Sequence, residues 1–208
     1  MTSPTIIKPD SLFRRLMRLA SRIGMAVLFS FLLAGLVQAQ EVAVPVNIQV
    51  PLLLKILTFD RSLDMTDGHE LVIGVAYQGR FRSSLDTKDE FLKAVAGISS
   101  LKSGYCLLRC VPIDMDREDA LARRIVLEHI RVMYVAPLRS ISLDDIVSAT
   151  RASHVVSITG VPEYTDDGVA VGIGTKGEKP LILINRNAAK LEGSDFSSQL
   201  LNLAKIIE

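Results

Sequence analysis

The sequence predicts an α/β fold, a three-layer sandwich in which helices flank a mostly parallel sheet that ends in an antiparallel C-terminal hairpin. Short apolar runs typical of buried strands alternate with amphipathic helical patterns over most of the chain. After Gly160 the pattern changes to two short strands, GVAVGIG and PLILIN, joined by the glycine-containing turn TKGEK. No repeat and no Pro/Gly/Ser-rich linker interrupts residues 40–208, which are therefore expected to form a single domain.

The first 39 residues have the order of a cleaved signal peptide. Four arginines between positions 14 and 22 precede the apolar run 25–37, and the small side chains of Val37 and Ala39 suit a signal peptidase. The run is shorter than the roughly 20 residues that a bilayer span needs. We therefore expect cleavage after Ala39 and a soluble periplasmic protein. Leu36 stands where a lipoprotein signal would need its cysteine, and Met17 is an alternative start that would give a shorter leader.

Removal of the leader changes the charge of the protein. The leader carries five of the 24 Lys/Arg and one of the 23 Asp/Glu, which leaves 19 basic and 22 acidic residues and a net charge of −3. This balance gives no basic patch of the kind that binds nucleic acid, so we expect no nucleic-acid partner. The 169 residues that remain of the 208 are enough to bury a hydrophobic core.

The individual elements follow from hydrophobic period and from capping residues. Strands are apolar and rich in β-branched residues, whereas helices repeat their apolar residues every three or four positions. In chain order the patterns predict a helix from about Gln49 with Pro51 in its first turn, a strand 71–77, a helix opened by the capping box Thr87–Glu90, a strand over YCLLRCVPI, a helix 116–128, a strand 130–136, a helix from the capping box Ser142–Asp145 to about Ala152, a strand 154–159, the hairpin, and a last helix 195–207 capped by Ser194.

Several motifs resemble chemical sites but have simpler structural explanations. Gly172–Gly177 matches G-x-G-x-x-G, yet a strand follows where a dinucleotide site needs a helix, so a hairpin is predicted. The acids of Asp114–Asp119 lack the glycine and closing glutamate of a calcium loop and suit the start of a helix. The three histidines, at positions 69, 129 and 154, have no ligand spacing. The sequence therefore predicts no catalytic, metal or cofactor site and no enzyme.

The stretch YCLLRC contains both cysteines of the chain, Cys106 and Cys110. Export makes a disulfide chemically possible. In a strand, however, the two residues would be roughly 13 Å apart, beyond the roughly 7 Å between Cα atoms that a disulfide allows. We predict that they fill the core on the same face as Leu108, with Arg109 opposite. An intramolecular disulfide would require the segment to bend or to be helical. A disulfide between chains is a further alternative, and a metal or redox site would need a third ligand.

The stretch Phe59-Asp60-Arg61 closes the first predicted helix and is a candidate binding surface. One interpretation is a helix end followed by a solvated Asp–Arg pair. The other is an exposed aromatic residue beside charges, which is the composition of many interface anchors. We treat Phe59, Asp60 and Arg61 as candidate partner-binding residues.

Four segments together indicate a family. They are the opening helix that ends KILTFDR, the strand RVMYVAPL, the unit DDIVSATRASHVVSITGVPEY, and the tail GVAVGIGTKGEKPLILINRNAAKLEGSDFSSQLLNLAKII. In this order, and with the leader, the chain from about Val46 to Ile207 resembles the YfiR family of periplasmic proteins. The resemblance implies an α/β domain that acts by binding and that represses a membrane diguanylate cyclase through its periplasmic sensor, which lowers cyclic-di-GMP and biofilm formation. It marks Asn185, Ala188, Ala189 and Lys190 as family-like structural positions.

The function that we expect is regulation of an inner-membrane signalling protein, a diguanylate cyclase or a histidine kinase, through its sensor domain. The protein would touch the membrane only through this partner, and a homodimer is possible. One alternative is a periplasmic small-ligand-binding protein that serves a transporter or receptor, because alternating strands and helices can form a crevice at the strand ends. A further alternative is an exported hydrolase whose nucleophile and base are distant in sequence.

Overall fold

A computed structural model describes residues 44–66, 68–99, 106–118 and 120–208; the predicted leader lies outside these residues. The strands are β1 (Glu70–Tyr77), β2 (Leu107–Asp114), β3 (Val132–Val135), β4 (Val156–Thr159), β5 (Val171–Lys176), β6 (Lys179–Asn185) and β7 (Lys205–Ile207). The helices are α1 (Val46–Leu57), α2 (Arg82–Ser99), α3 (Leu121–Glu128), α4 (Leu143–Ser153), α5 (Arg186–Leu191) and α6 (Ser198–Leu203), and a 3₁₀ turn follows β4 at Pro162–Thr165. None of these helices is long and apolar enough to cross a bilayer.

The strands form one sheet in the order β2-β1-β3-β4-β5-β6-β7. Neighbours from β2 to β5 are parallel, β5 and β6 form the antiparallel hairpin, and β7 lies parallel to β6. Helices α1, α2, α5 and α6 bury apolar side chains against one face, and α3 and α4 cover the other. The predicted α/β architecture, with a mostly parallel sheet and a C-terminal hairpin, is confirmed.

Strand β1 lies between β2 and β3 in the parallel part of the sheet and is buried on both faces. Leu71, Ile73 and Val75 point into the core beneath α1 and α2. Val72 and Ala76 point to the opposite core beneath α3 and α4. The sequence of a strand covered on both faces is a continuous apolar run, which explains why β1 is easily identified from the sequence.

Three predicted helix starts are wrong. Helix α1 begins at Val46, which puts Pro51 in its second turn, and α2 begins at Arg82, so Thr87 lies buried inside the helix and does not cap it. Helix α3 begins at Leu121 and not at residue 116, because Asp114 and Asp116 accept backbone N–H bonds from the loop after β1 instead. These two aspartates thus bond to a distant loop instead of capping the helix that follows them.

The predicted last helix is also wrong. Helix α6 covers only Ser198–Leu203, and its cap is Ser197, whose Oγ accepts the Leu200 N–H, not Ser194. Residues Lys205–Ile207 leave the helix and pair with Leu183–Asn185 as strand β7. This pairing gives hydrogen-bond partners to the backbone groups at the edge of β6. Because the partner strand is distant in sequence, the helical spacing of the tail does not reveal it.

Glu192 is a buried carboxyl group between α4 and β4. It is 1% exposed. One of its oxygens accepts the Thr150 hydroxyl at 2.7 Å and the other accepts the Ser157 N–H at 2.8 Å. Burial raises the pKa of Glu192 above its ordinary value of 4.5, although these hydrogen bonds and Arg151 act in the opposite direction.

The raised pKa of Glu192 predicts a pH-dependent effect of Glu192→Gln. Because the folded protein disfavours the charged form, Glu192 contributes stability below about pH 4.5 that is lost as the pH rises through its folded-state pKa. The amide of a glutamine at this position cannot ionise. It can accept the Ser157 N–H and donate to the Thr150 hydroxyl, because that hydroxyl can donate its own proton to Val147 O at 3.0 Å. The unfolding free energy of the variant, relative to the original protein, should therefore increase with pH. Urea titrations over roughly pH 4 to 8 measure this, and parallel curves would contradict it.

Candidate functional site

The carboxyl ends of β1 and β3 form the topological switch point of the sheet. The chain leaves β1 for α2 on one face and leaves β3 for α4 on the other. In open α/β sheets the helices that diverge in this way leave a crevice outside the strand ends, where ligands and partners bind. The loops that surround this crevice therefore form the candidate site.

Gln78, the residue after β1, connects three of these loops. It is 5% exposed. Its side-chain Nε2 donates to Asp116 Oδ1 at 3.3 Å and to Ser140 Oγ at 3.1 Å, and its Oε1 accepts the Arg139 N–H at 3.0 Å. Its own backbone N–H donates to Ser84 Oγ at 2.8 Å. One buried amide thus fixes the loops after β1, β2 and β3 relative to one another.

Asp114 and Asp116 add a second layer of fixed contacts. Asp114 Oδ1 accepts the Gly79 N–H at 3.0 Å, and Asp116 Oδ2 accepts the Arg80 N–H at 2.8 Å. A Cβ atom at Gly79 would lie 2.7 Å from Asp114 Oδ2, so a larger residue would have to displace this carboxylate. The acids predicted to begin a helix therefore organise the site loop. Within the described residues no group of three His, Cys, Asp or Glu side chains could hold a metal ion.

The fixed loops present arginines and one aromatic ring to solvent. The Arg139 guanidinium lies over the ring of Phe81, with its Cζ 5.5 Å from the ring centroid. Arg80 is exposed beside Phe81, and Arg117 reaches Asp114 Oδ2 at 3.7 Å while 87% of its side chain stays exposed. We call Arg80, Phe81, Arg117 and Arg139 the arginine rim.

A groove of about 630 Å³ adjoins the arginine rim at Phe81. Its walls are the chain before and at the start of α1 (residues 44–46) and the first turns of α2, where Arg82 pairs with Asp86 at 2.8 Å. The start of α1 is held by Gln49, whose Oε1 accepts the Tyr134 hydroxyl at 3.3 Å. The groove thus lies between two helices that are anchored in the core.

The candidate residues Phe59, Asp60 and Arg61 form a junction between the end of α1 and the loop before α6. Asp60 is 3% exposed, and its Oδ1 accepts the N–H groups of Ser62 and Asp195, each at 2.9 Å. Phe59 is half-buried, with Lys55 Nζ 5.5 Å from its ring centroid. Arg61 is exposed and reaches Asp195 at 3.4 Å. Asp60 is therefore a structural anchor here, while Arg61 and the edge of Phe59 face solvent.

The family-like positions lie around the start of α5. Asn185 is the N-cap of this helix, since its Oδ1 accepts the Ala188 N–H at 2.9 Å while its Nδ2 donates to Thr165 O at 2.8 Å. Ala188 and Ala189 are buried in the core, and Lys190 is exposed. These contacts join α5 to the 3₁₀ turn and do not reach the strand ends that carry the arginine rim.

Cys110 lies in strand β2, and Cys106 immediately precedes this strand. Cys106 is buried, and Leu108 and Cys110 are half-buried against the same core. Arg109 points to the other face, where it donates to Glu128 and Glu70. Both thiols are free, and burial raises the pKa of Cys110 to about 11 and also raises that of Cys106. Such thiols are poor nucleophiles at neutral pH. Tyr105 lies outside the described residues.

The histidines also occupy separate places. His129 and His154 end α3 and α4 in the left-handed conformation, with φ of 56° and 51°. His69 Nδ1 lies 2.9 Å from Asp64 Oδ2 at the surface. None of the three approaches the arginine rim through a contact that could make a catalytic pair.

The arginine rim was not predicted from the sequence. A usable signal exists, because QGRF directly follows the predicted strand 71–77 and PLRS directly follows the strand 130–136. Polar residues at the carboxyl ends of adjacent parallel strands meet at one edge of a sheet. The order of the strands, which decides adjacency, is what the sequence pattern does not contain.

Comparisons with known proteins identify one matching family and several solved structures with a similar fold. A family model described as YfiR/HmsC-like matches residues 52–205. Among curated proteins, none matches the sequence significantly. The fold is similar to an ABC domain in complex with L-Trp from Streptococcus pneumonia, at 13% identity and a TM-score of 0.52, over 79% of this chain and 62% of that one.

Two further solved structures give similar values. A conserved domain protein from Vibrio cholerae O1 biovar eltor and the ligand-free, open structure of CD0873, a substrate binding protein with adhesive properties from Clostridium difficile, each show 14% identity and a TM-score of 0.50. Each match covers 79% of this chain and 60% of the other chain. The present chain thus spans about three fifths of the length of these proteins.

Proposed function

The chain belongs to the YfiR/HmsC-like family, and on this premise we propose that it is a periplasmic regulatory binding protein without catalytic activity. Its target is the sensor domain of an inner-membrane signalling protein of the diguanylate cyclase type. The observation that carries the proposal is the extent of the family match, which runs from α1 to β7. The signal-like leader supports delivery to the compartment where such sensor domains lie.

The site supports binding of a protein. Gln78 and the two aspartates fix the loops at the strand ends, so little conformational entropy is lost when a partner contacts them. The exposed residues that these loops carry, arginine and phenylalanine, belong to the classes enriched at protein interfaces. Arg61 and Phe59 offer a second possible contact at the far end of α1.

The experiment is co-expression with a membrane diguanylate cyclase that retains its periplasmic sensor domain. The full chain should lower cellular cyclic-di-GMP, whereas a chain without residues 1–39 should not, because it would stay on the wrong side of the membrane. A cyclase whose sensor domain has been deleted is the matched control and should not respond. Unchanged cyclic-di-GMP, with the protein detected in the periplasm and several such cyclases tested, would contradict the proposal.

A second candidate is the binding of a small ligand. The groove beside Phe81 and the similarity of the fold to a substrate binding protein favour it. A ligand that binds only the native state raises the melting temperature, and the increase grows with the logarithm of the ligand concentration above its Kd. A thermal-shift screen of metabolites tests this candidate, and a positive result should be lost on replacing Phe81 by alanine.

A further inference from the structure

We propose that the arginine rim binds an acidic segment, a run of Asp and Glu residues, in the sensor domain of the partner. The inference rests on the proposed function and names the surface that performs it. It follows from the charge of the rim, from its rigidity and from the geometry of guanidinium groups.

The three arginines of the rim carry more positive charge than the two aspartates that fix its loops, Asp114 and Asp116, carry negative charge. Arg80 and Arg139 have no ion pair with another described residue, and the contact of Arg117 with Asp114 is long at 3.7 Å. The chain after the leader nevertheless has a net charge of −3. A local cationic surface on an acidic protein steers an acidic partner to this place and repels it elsewhere.

The backbone positions of Arg80 and Arg139 are fixed before binding. Asp116 holds the backbone N–H of Arg80, and Gln78 holds that of Arg139. Phe81 supports the Arg139 guanidinium from below. A guanidinium forms two parallel hydrogen bonds with a carboxylate, and a preorganised one loses less entropy in doing so.

The orientation of α2 adds to the positive electrostatic potential at the arginine rim. This helix of 18 residues begins at Arg82, directly after the rim residues Arg80 and Phe81. The N-terminal end of a helix carries partial positive charge from unpaired N–H groups. It therefore reinforces the attraction of the arginines for carboxylates, although alone it would not define a site.

A protein segment fits the rim better than a membrane surface does. Segments that bind anionic lipids contain roughly four to eight Lys or Arg in a flexible or helical cluster. The rim has three arginines, separated along the chain and set in rigid loops. The net negative charge of the remaining surface also opposes adsorption to anionic lipid.

The test measures binding of a fluorescein-labelled hexaglutamate peptide to the purified protein by anisotropy. The charge reversals Arg80→Glu and Arg139→Glu together should weaken binding by about tenfold or more, and binding should weaken as salt rises from roughly 50 to 200 mM. The matched control reverses Arg123 and Arg131, which are also exposed but lie on α3 and just before β3. This control should change the affinity by less than about twofold.

Other outcomes overturn the inference. Equal weakening by both double variants would show a non-specific charge effect, and absence of peptide binding would remove acidic recognition. Binding to phosphatidylglycerol vesicles that is lost only in the rim variant would assign the rim to lipid instead. The same variants in the cyclase assay separate the two proposals. If the rim variant still lowers cyclic-di-GMP, this inference is wrong but the proposed function stands. If the protein binds the peptide through the rim but does not lower cyclic-di-GMP, the proposed function is wrong but the rim still binds acidic segments.

Discussion

Replacing Gly160 by alanine should lower the free energy of unfolding by about 3 kcal/mol, because the new methyl group has no space. Gly160 follows β4, and an added Cβ would lie 2.2 Å from Oε1 and 2.4 Å from Nε2 of Gln49. Gln49 is fully buried and cannot move without breaking its bonds to Val44 O and the Tyr134 hydroxyl. The ring of Tyr134 is itself stacked on Phe91, with centroids 4.1 Å apart. Urea-induced unfolding, followed by circular dichroism, measures the loss.

Gly97→Ala is the matched control for this experiment. Gly97 lies in α2, and nothing comes within 4 Å of a Cβ atom added there. Alanine at a helical, unhindered position should stabilise the protein by roughly 0.5–1 kcal/mol. The cause is tested by adding Gln49→Ala to Gly160→Ala, since a true clash makes the double variant less damaged than the sum of the single ones. A Gly160→Ala protein as stable as the original would refute the close approach of Gln49.

Replacing Gln78 by leucine should cost about 2–3 kcal/mol, the second large effect that we expect. Leucine fits the buried volume but leaves the Arg139 N–H without its acceptor and removes a donor from Asp116 and Ser140. The loop after β3 should then open more often, which hydrogen exchange at the Arg139 amide reports directly. The rim would lose its fixed geometry, so affinity for the hexaglutamate peptide should also fall.

The control for Gln78 is the exposed Gln199, where leucine should change stability by less than about 0.5 kcal/mol. Gln78→Glu separates geometry from charge. A glutamate keeps the acceptor for the Arg139 N–H but places a carboxylate against Asp116 Oδ1, so it should be least harmful at low pH. Unchanged protection of the Arg139 amide in Gln78→Leu would contradict the role of this side chain.

The parts of the fold that depend on local pattern were predictable. The strand over YCLLRCVPI followed from its apolar content, and Cys106, Leu108 and Cys110 contact the same core, as the period of two requires. The hairpin at β5 and β6 followed from its glycine-containing turn, and it carries the only antiparallel pairing among the named strands of the described chain.

Features that depend on distant partners were not predictable. The tail repeats its apolar residues every three or four positions, as a helix does, but Lys205–Ile207 gains more by pairing with β6. Asp114 has the position of a helix-starting acid, yet its partner is Gly79, 35 positions earlier. Recognising the site from sequence would have required the strand order, which brings the ends of β1, β2 and β3 together.

The interior position of β1 in the sheet has a consequence for how the chain folds while it is being synthesised. Its two neighbours, β2 and β3, come later in the chain, so both edges of the segment LVIGVAY stay open until about residue 114 is present, and the edge that pairs with β3 stays open until about residue 135. An apolar β-branched strand without partners is a template for aggregation. A chain that stalls or is truncated before β3 would expose this template, and we therefore expect the nascent protein to depend on chaperones that keep it extended until its synthesis has passed β3.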